Sequence, residues 1–252
     1  MNTQPEQVNS KLDSGCPIIF RLSLAHVSDN PKIIGLDGLF CVLAVCFSLI
    51  SAASCQRPYA TRGSAVVIPI PVAKPLPANA APQLKQLVDA AVEQTTVTTG
   101  YDPSYVKIDY PNGDVASDTG VCSDVVVRAF RKAGIDLQKE VHEDMTKAWS
   151  AYPKKWGARG TDTNIDHRRV LNLATYFERQ DKSLPITNDR ADYQPGDVVT
   201  WDLGEGLDHI GIVTNLASEP EKHYLIVHNV GAGARAEDVL LAWKITGHYR
   251  YF

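Results

Sequence analysis

Cysteine is scarce in this chain of 252 residues, and most of it lies near the N-terminus. Cys16, Cys41, Cys46 and Cys55 fall within the first 57 residues, and Cys122 stands alone in the remainder. An internal disulfide in that remainder is therefore excluded. Basic charge is not in surplus either: 25 Lys and Arg against 29 Asp and Glu give a formal net charge of −4. Nucleic-acid binding, which usually leaves a basic excess, gains no support from this balance. There is no internal repeat, no Gly-rich phosphate loop and no H-E-x-x-H or C-x-x-C. A zinc centre would have to be assembled from scattered residues such as His167, His209 and His228, so no metal or other cofactor is expected.

The first 57 residues read as a leader. "GLFCVLAVCFSLISAASC" carries an apolar core at 39–50, with Lys32 upstream and small residues just before Cys55. A basic flank, an apolar run and a small-residue region are the layout of a secretory signal. "SAASC" also resembles a bacterial lipobox, which makes Cys55 a candidate lipidation site, although Ala52 stands where Leu is usual. A retained membrane anchor and a buried core helix are the other readings of such a run. Residues 58–82 are rich in Pro and Ala, "VVIPIPVAKPLPANAAPQ" included, and read as a semi-rigid tether. An exported domain at 83–252, periplasmic or membrane-anchored, follows from this layout.

Within that domain helices come first. Leu84, Leu87, Val88, Ala91 and Val92 repeat at helical spacing in a helix that ends near Thr95. A second helix opens in "DTGVCSDVVVRAF", a third covers "KEVHEDMTKAWSAYP", and a fourth, "DHRRVLNLATYFERQ", takes Asp166 as its N-cap. Short extended pieces are expected around Tyr105 to Tyr110. From Asp197 the period changes to two in "DVVTWDL", "HIGIVTNL", "HYLIVHNV" and "AWKITGHYRYF". Four or so antiparallel strands after helices predict an α+β fold, the helices packed on a small sheet.

The lone Cys122 sits at the first turn of the second helix. It is either a buried small hydrophobe or a nucleophile whose thiolate is favoured by the helix N-terminus. A nucleophile needs a base, and His209 opens a strand in "LDHIGIV". Alternation puts His209, Gly211 and Val213 on one face, where Gly211 would let a helix end approach. If the next two strands form a hairpin, an even loop brings His228 to the face of His209 as its orienter. A one-residue slip brings Asn229 instead.

Taken in order, "GVCSDVVVRAF", "YQPGDVVTWD", "DHIGIVTN" and "YLIVHN" resemble the NlpC-type cysteine peptidases, a cell-wall branch of the papain-like hydrolases. A closer resemblance, carried by "TTGYDPSY", "VHEDM", "NIDHRRV", "GDVVTWDLG", "VHNVGAG" and "ITGHYR", is to an uncharacterised bacterial exported family within that superfamily. The resemblance implies a papain-like fold with Cys122 as nucleophile, His209 as base and His228, or Asn229, as orienter. It implies cleavage of an amide bond, with peptidoglycan the expected substrate. Val121 stands where an acidic residue often precedes the Cys, and Ser-Asp-Val follows Cys122 where Ser-Gly-Phe is usual. These departures bear on the substrate more than on the reaction. A same-fold thiol hydrolase or acyltransferase on another substrate, and a non-catalytic wall-binding module, are the alternatives.

Candidate substrate contacts are Tyr101, Asp124, His167 and Arg168. Arg168 could clamp a stem carboxylate, or "NIDHRR" could be a cap and a solvated turn. Tyr101 could line a groove or pack on the core, and Asp124 could simply stabilise the first helical turn. "VGAGAR" reads as a flexible loop at the cleft rim, and His142, His223 and His248 read as surface or packing residues.

Overall fold

A computed structural model describes residues 71–219 and 222–252, all within one unit, Gly63–Phe252. The apolar run at 39–50, Cys55 and the tether before residue 71 lie outside the described residues. Among the described residues no helix is long and apolar enough to cross a membrane.

The elements run β1 (Val72–Ala73), α1 (Pro82–Val97), α2 (Cys122–Lys132), α3 (Leu137–Lys147), α4 (Val170–Arg179), β2 (Val198–Asp202), β3 (Asp208–Ala217), β4 (Tyr224–Asn229), β5 (Ala234–Glu237) and β6 (Lys244–Tyr249). The sheet is antiparallel in the order β5-β4-β3-β2-β6, with β1 added on β3. The fold is α+β.

Helices cover one face of the sheet. Val125, Val126 and Phe130 of α2 pack with Phe177 of α4 and with Ile210, Ile212 and Val227 of β3 and β4. On the other face a smaller cluster joins Tyr193, Val199, Trp201, Val213, Ile226 and Leu240. β3 is thus buried on both sides, its even residues toward the helices and its odd residues away.

Several local expectations are corrected. The end of the Pro-rich tether is not free: Val72 and Ala73 pair with Ala217 and Leu216, and Asn215 Nδ2 donates to the Lys74 carbonyl at 2.8 Å. "VGAGAR" is not wholly a loop, because Ala234 and Arg235 begin β5, which pairs along β4. No strand forms at 105–110; instead the Ile108 N–H donates to Asn164 Oδ1 at 2.9 Å. α3 starts earlier than expected because Asp136 caps it, accepting from the Gln138 N–H at 3.2 Å. Asp166 does not cap α4. Its carboxylate is already engaged by the Asp162 N–H at 2.7 Å and His142 Nδ1 at 3.0 Å, so Asp166–Arg168 form a separate 3₁₀ turn.

The aspartate of "PGD" is part of the scaffold. Asp197 receives Arg250 Nε and Nη2 at 2.7 Å each, His248 Nε2 at 2.9 Å and the Gln194 N–H at 2.8 Å. Burial pushes its carboxyl pKa up, but these donors outweigh burial and hold it below the ordinary value. His248, stacked on Tyr193 at 4.1 Å, is therefore an internal tie between β6 and the start of β2.

Candidate active site

The start of α2 is built by an acid three residues in. Asp124 Oδ2 accepts the Val121 N–H at 2.7 Å, the half of a first-turn capping box that a valine N-cap permits. Gly120 makes room for it: φ is +150°, and a Cβ there would meet Asp124 Oδ2 at 2.9 Å. Arg168 then locks the same carboxylate from outside, Nε to Oδ1 at 2.9 Å and Nη2 to Oδ2 at 3.0 Å. Its remaining donors reach the Ser104 and Asp102 carbonyls at 2.8 and 3.2 Å. The side chains of this pair are only 2% and 4% exposed. Arg168 and Asp124 therefore hold the helix start and the 102–104 loop together; neither offers a free fork or carboxylate to a substrate.

Cys122 is 7% exposed and opens on a cleft of about 190 Å³. Tyr101, Trp156, Arg169, Leu207 and Asp208 line it as well. Trp156 and Leu207, 45% and 60% exposed, stand on two segments of its rim. Lys155 bridges those segments, donating to Gly206 O at 3.0 Å and Asp208 Oδ2 at 2.6 Å.

The thiol is not lowered, as a helix N-terminus alone would make it. Burial pushes it up to about 12, against the Ile210, Ser123 and Cys122 N–H groups, which favour the thiolate. Desolvation of a nearly enclosed sulfur outweighs a few partial charges. Ile210, whose N–H is among the groups that favour the thiolate, lies where β4 has parted from β3, whose pairing to β4 begins at Ile212.

His209 precedes that amide but does not line the cleft. It is buried on the opposite face of β3, beside Trp201 and Trp243 at ring separations of 5.8 and 5.7 Å. Gly211 serves this packing rather than a helix end, since a Cβ there would meet Ile226 Cγ2 at 2.7 Å and His228 Cβ at 3.1 Å. Ile212 pairs with Val227, the register that puts His228 on the face of His209. His209 Nε2 lies 2.9 Å from His228 Nδ1, and His228 Nε2 lies 3.0 Å from Glu237 Oε2. A carboxylate only accepts, so His228 carries its proton on Nε2. Its Nδ1 then accepts from His209 Nε2–H, which leaves the lone pair of His209 on Nδ1. Asn229 does not touch His209; its Nδ2 donates to the Gly100 and Gly120 carbonyls at 3.0 and 2.9 Å and fixes the loop before Cys122. Glu237 was not found by sequence reasoning. Its strand, "ARAE", is too short and polar to stand out, and only its pairing with β4 marks it.

His167 is removed from the cleft: it is buried, and its Nδ1 has no partner. Burial, followed by the charges of Arg168 and Arg131, holds it near 4, and burial followed by His228 holds His209 near 3. Both stay neutral when the unfolded chain, with imidazoles near 6.5, has begun to bind protons. Stability is thus expected to fall as pH drops below about 6.5, by about 1.4 kcal/mol per pH unit for each such histidine. Urea midpoints from pH 8 to 5 check this, and a flat series would contradict the burial of neutral rings. Among the described residues no group of three or more His, Cys, Asp or Glu side chains is placed to hold a metal ion.

The family described as "Domain of unknown function (DUF1287)" matches residues 88–251. The chain belongs to the DUF1287 family. It is 52% identical over 166 residues to the uncharacterized protein YijF of Escherichia coli strain K12, covering 66% of this chain and 80% of that protein. Among solved structures, an N-acetylmuramoyl-L-alanine amidase of Bacteroides uniformis aligns with 13% identity and a TM-score of 0.41 over 68% of this chain and all of that one. A lipoprotein of the NLP/P60 family from Staphylococcus aureus aligns with 14% identity and a TM-score of 0.33 over 67% of this chain; this DUF1287 chain spans 41% of that one.

Proposed function

We propose that this DUF1287 protein is an exported cysteine hydrolase that cleaves an amide bond of peptidoglycan. The observation that carries this reading is the relay Glu237–His228–His209. It leaves the His209 lone pair on Nδ1, one residue from Ile210, whose N–H favours the Cys122 thiolate. A chain of hydrogen bonds that fixes a tautomer is what a general base requires.

This mechanism requires the Cys122 sulfur to meet the His209 ring at the open end of β3, where β4 has parted from it; there His209 Nδ1 takes the thiol proton as sulfur attacks the amide carbonyl carbon. The tetrahedral intermediate collapses with cleavage of the C–N bond, and the imidazolium returns its proton to the leaving amine. Water, deprotonated by the same ring, then hydrolyses the thioester and frees the carboxylic acid and the thiol. The Cys122 N–H is the candidate donor to the oxyanion.

The resting pair is neutral thiol and neutral imidazole, not an ion pair. The imidazole must be unprotonated and the thiol must still carry its proton. That protonation state dominates throughout the neutral range, so kcat/KM should be flat there, and loss on the acid side should follow unfolding. The test is digestion of purified muropeptides, with products identified by mass and by new amine groups, repeated from pH 5 to 9. No new amine at any pH would reject the hydrolase.

A second reading has the burial of the sulfur in its favour: a non-catalytic wall-binding module of the same fold. Iodoacetamide separates the two, because a sulfur that serves the cleft is alkylated in the folded protein, at a rate rising with pH. A purely structural one is modified only on unfolding.

A further inference from the structure

The charges lining the cleft are balanced, with one exception. Arg168 is neutralised by Asp124, and Asp208 by Lys155. Arg169 has no such partner: no carboxylate lies within 4.0 Å of its guanidinium, and no hydrogen bond occupies its donors among the described residues. It is half-buried and is held by stacking on Trp156, with its guanidinium carbon 4.6 Å from the ring centroid. Trp156, Ile165 and Arg169 also line a neighbouring cavity of about 230 Å³, so Arg169 borders both spaces. Burial and then the nearby charge of Arg168 disfavour its charged state, which an incoming anion would relieve.

We infer that Arg169, pre-oriented on Trp156, binds a free carboxylate of the substrate and so selects acidic peptides for the Cys122 cleft. The reasons are geometric and electrostatic. A planar fork whose face is held by an aromatic ring keeps its edge donors for a carboxylate, which it can grip with two parallel bonds. It is also the one cleft charge left uncompensated. Arg168, the residue that sequence order suggested for this task, is spent on Asp124. This assignment rests on the hydrolase reading for its biological substrate, but recognition can be measured without turnover.

The experiment compares a wall stem tripeptide bearing free carboxylates with the same peptide in which they are carboxamides. Binding of both to the Cys122→Ala protein is measured by calorimetry. The carboxylate form should bind about tenfold or more tightly, and adding Arg169→Gln should bring the ratio to about one. Arg169→Lys should restore part of the preference, since it keeps the charge and loses the fork. Equal binding of the two peptides to Cys122→Ala overturns the proposal, as does a preference that survives Arg169→Gln. Loss of affinity for both peptides alike, together with a lowered Tm, also overturns it, by marking Arg169 as structural. Wild-type turnover is scored separately. Cleavage without carboxylate preference rejects Arg169 and keeps the hydrolase. Arg169-dependent preference with no cleavage keeps Arg169 and rejects the hydrolase.

Discussion

Cys122→Ser is expected to reduce muropeptide cleavage by about a thousandfold or more, because it exchanges the attacking group for a far weaker nucleophile in an unchanged setting. The substitution is nearly isosteric, so the Val121–Asp124 cap and the Asp124–Arg168 pair should persist. The variant should therefore keep its Tm and still bind the peptide. The measurement is a product time course beside a melting curve. Cleavage at the wild-type rate would remove Cys122 from the chemistry, and with it the part assigned to His209. Replacing Cys122 by Ala separates attack from packing: both variants should be inactive, whatever small difference they show in stability.

Arg168→Met is expected to destabilise the protein by about 3–5 kcal/mol, the usual consequence of leaving one member of a buried ion pair alone. For a chain of this size that is a drop in Tm of roughly 6–20 °C. A substrate clamp would behave otherwise, raising KM and leaving the melting curve in place. Pairing Arg168→Met with Asp124→Leu should recover part of the loss, since no carboxylate is then stranded. Recovery stays incomplete because Asp124 also caps the Val121 N–H. A wild-type Tm for Arg168→Met would show that the ionic lock contributes little to the fold.

The sequence by itself determined a good deal of this protein. Helical spacing in "VCSDVVVRAF" and alternation in "HIGIVTNL" are local signals, and they are enough to place Cys122 at a helix start and His209 at a strand start. Helices followed by strands determined the α+β class. Period two narrowed the orienter to His228 or Asn229, and the observed pairing of Ile212 with Val227 decided for His228. What only the tertiary structure decided is how each of these groups is solvated and paired, because that depends on chain remote in sequence. Arg168 meets Asp124 across 44 residues, and Glu237 reaches His228 only because a short polar strand pairs beside β4. The same remote packing encloses the Cys122 sulfur and reverses the thiol shift that the helix start alone would produce. Local pattern records which way a side chain points; desolvation and partner charges, which govern its chemistry, arise only when distant segments close around it.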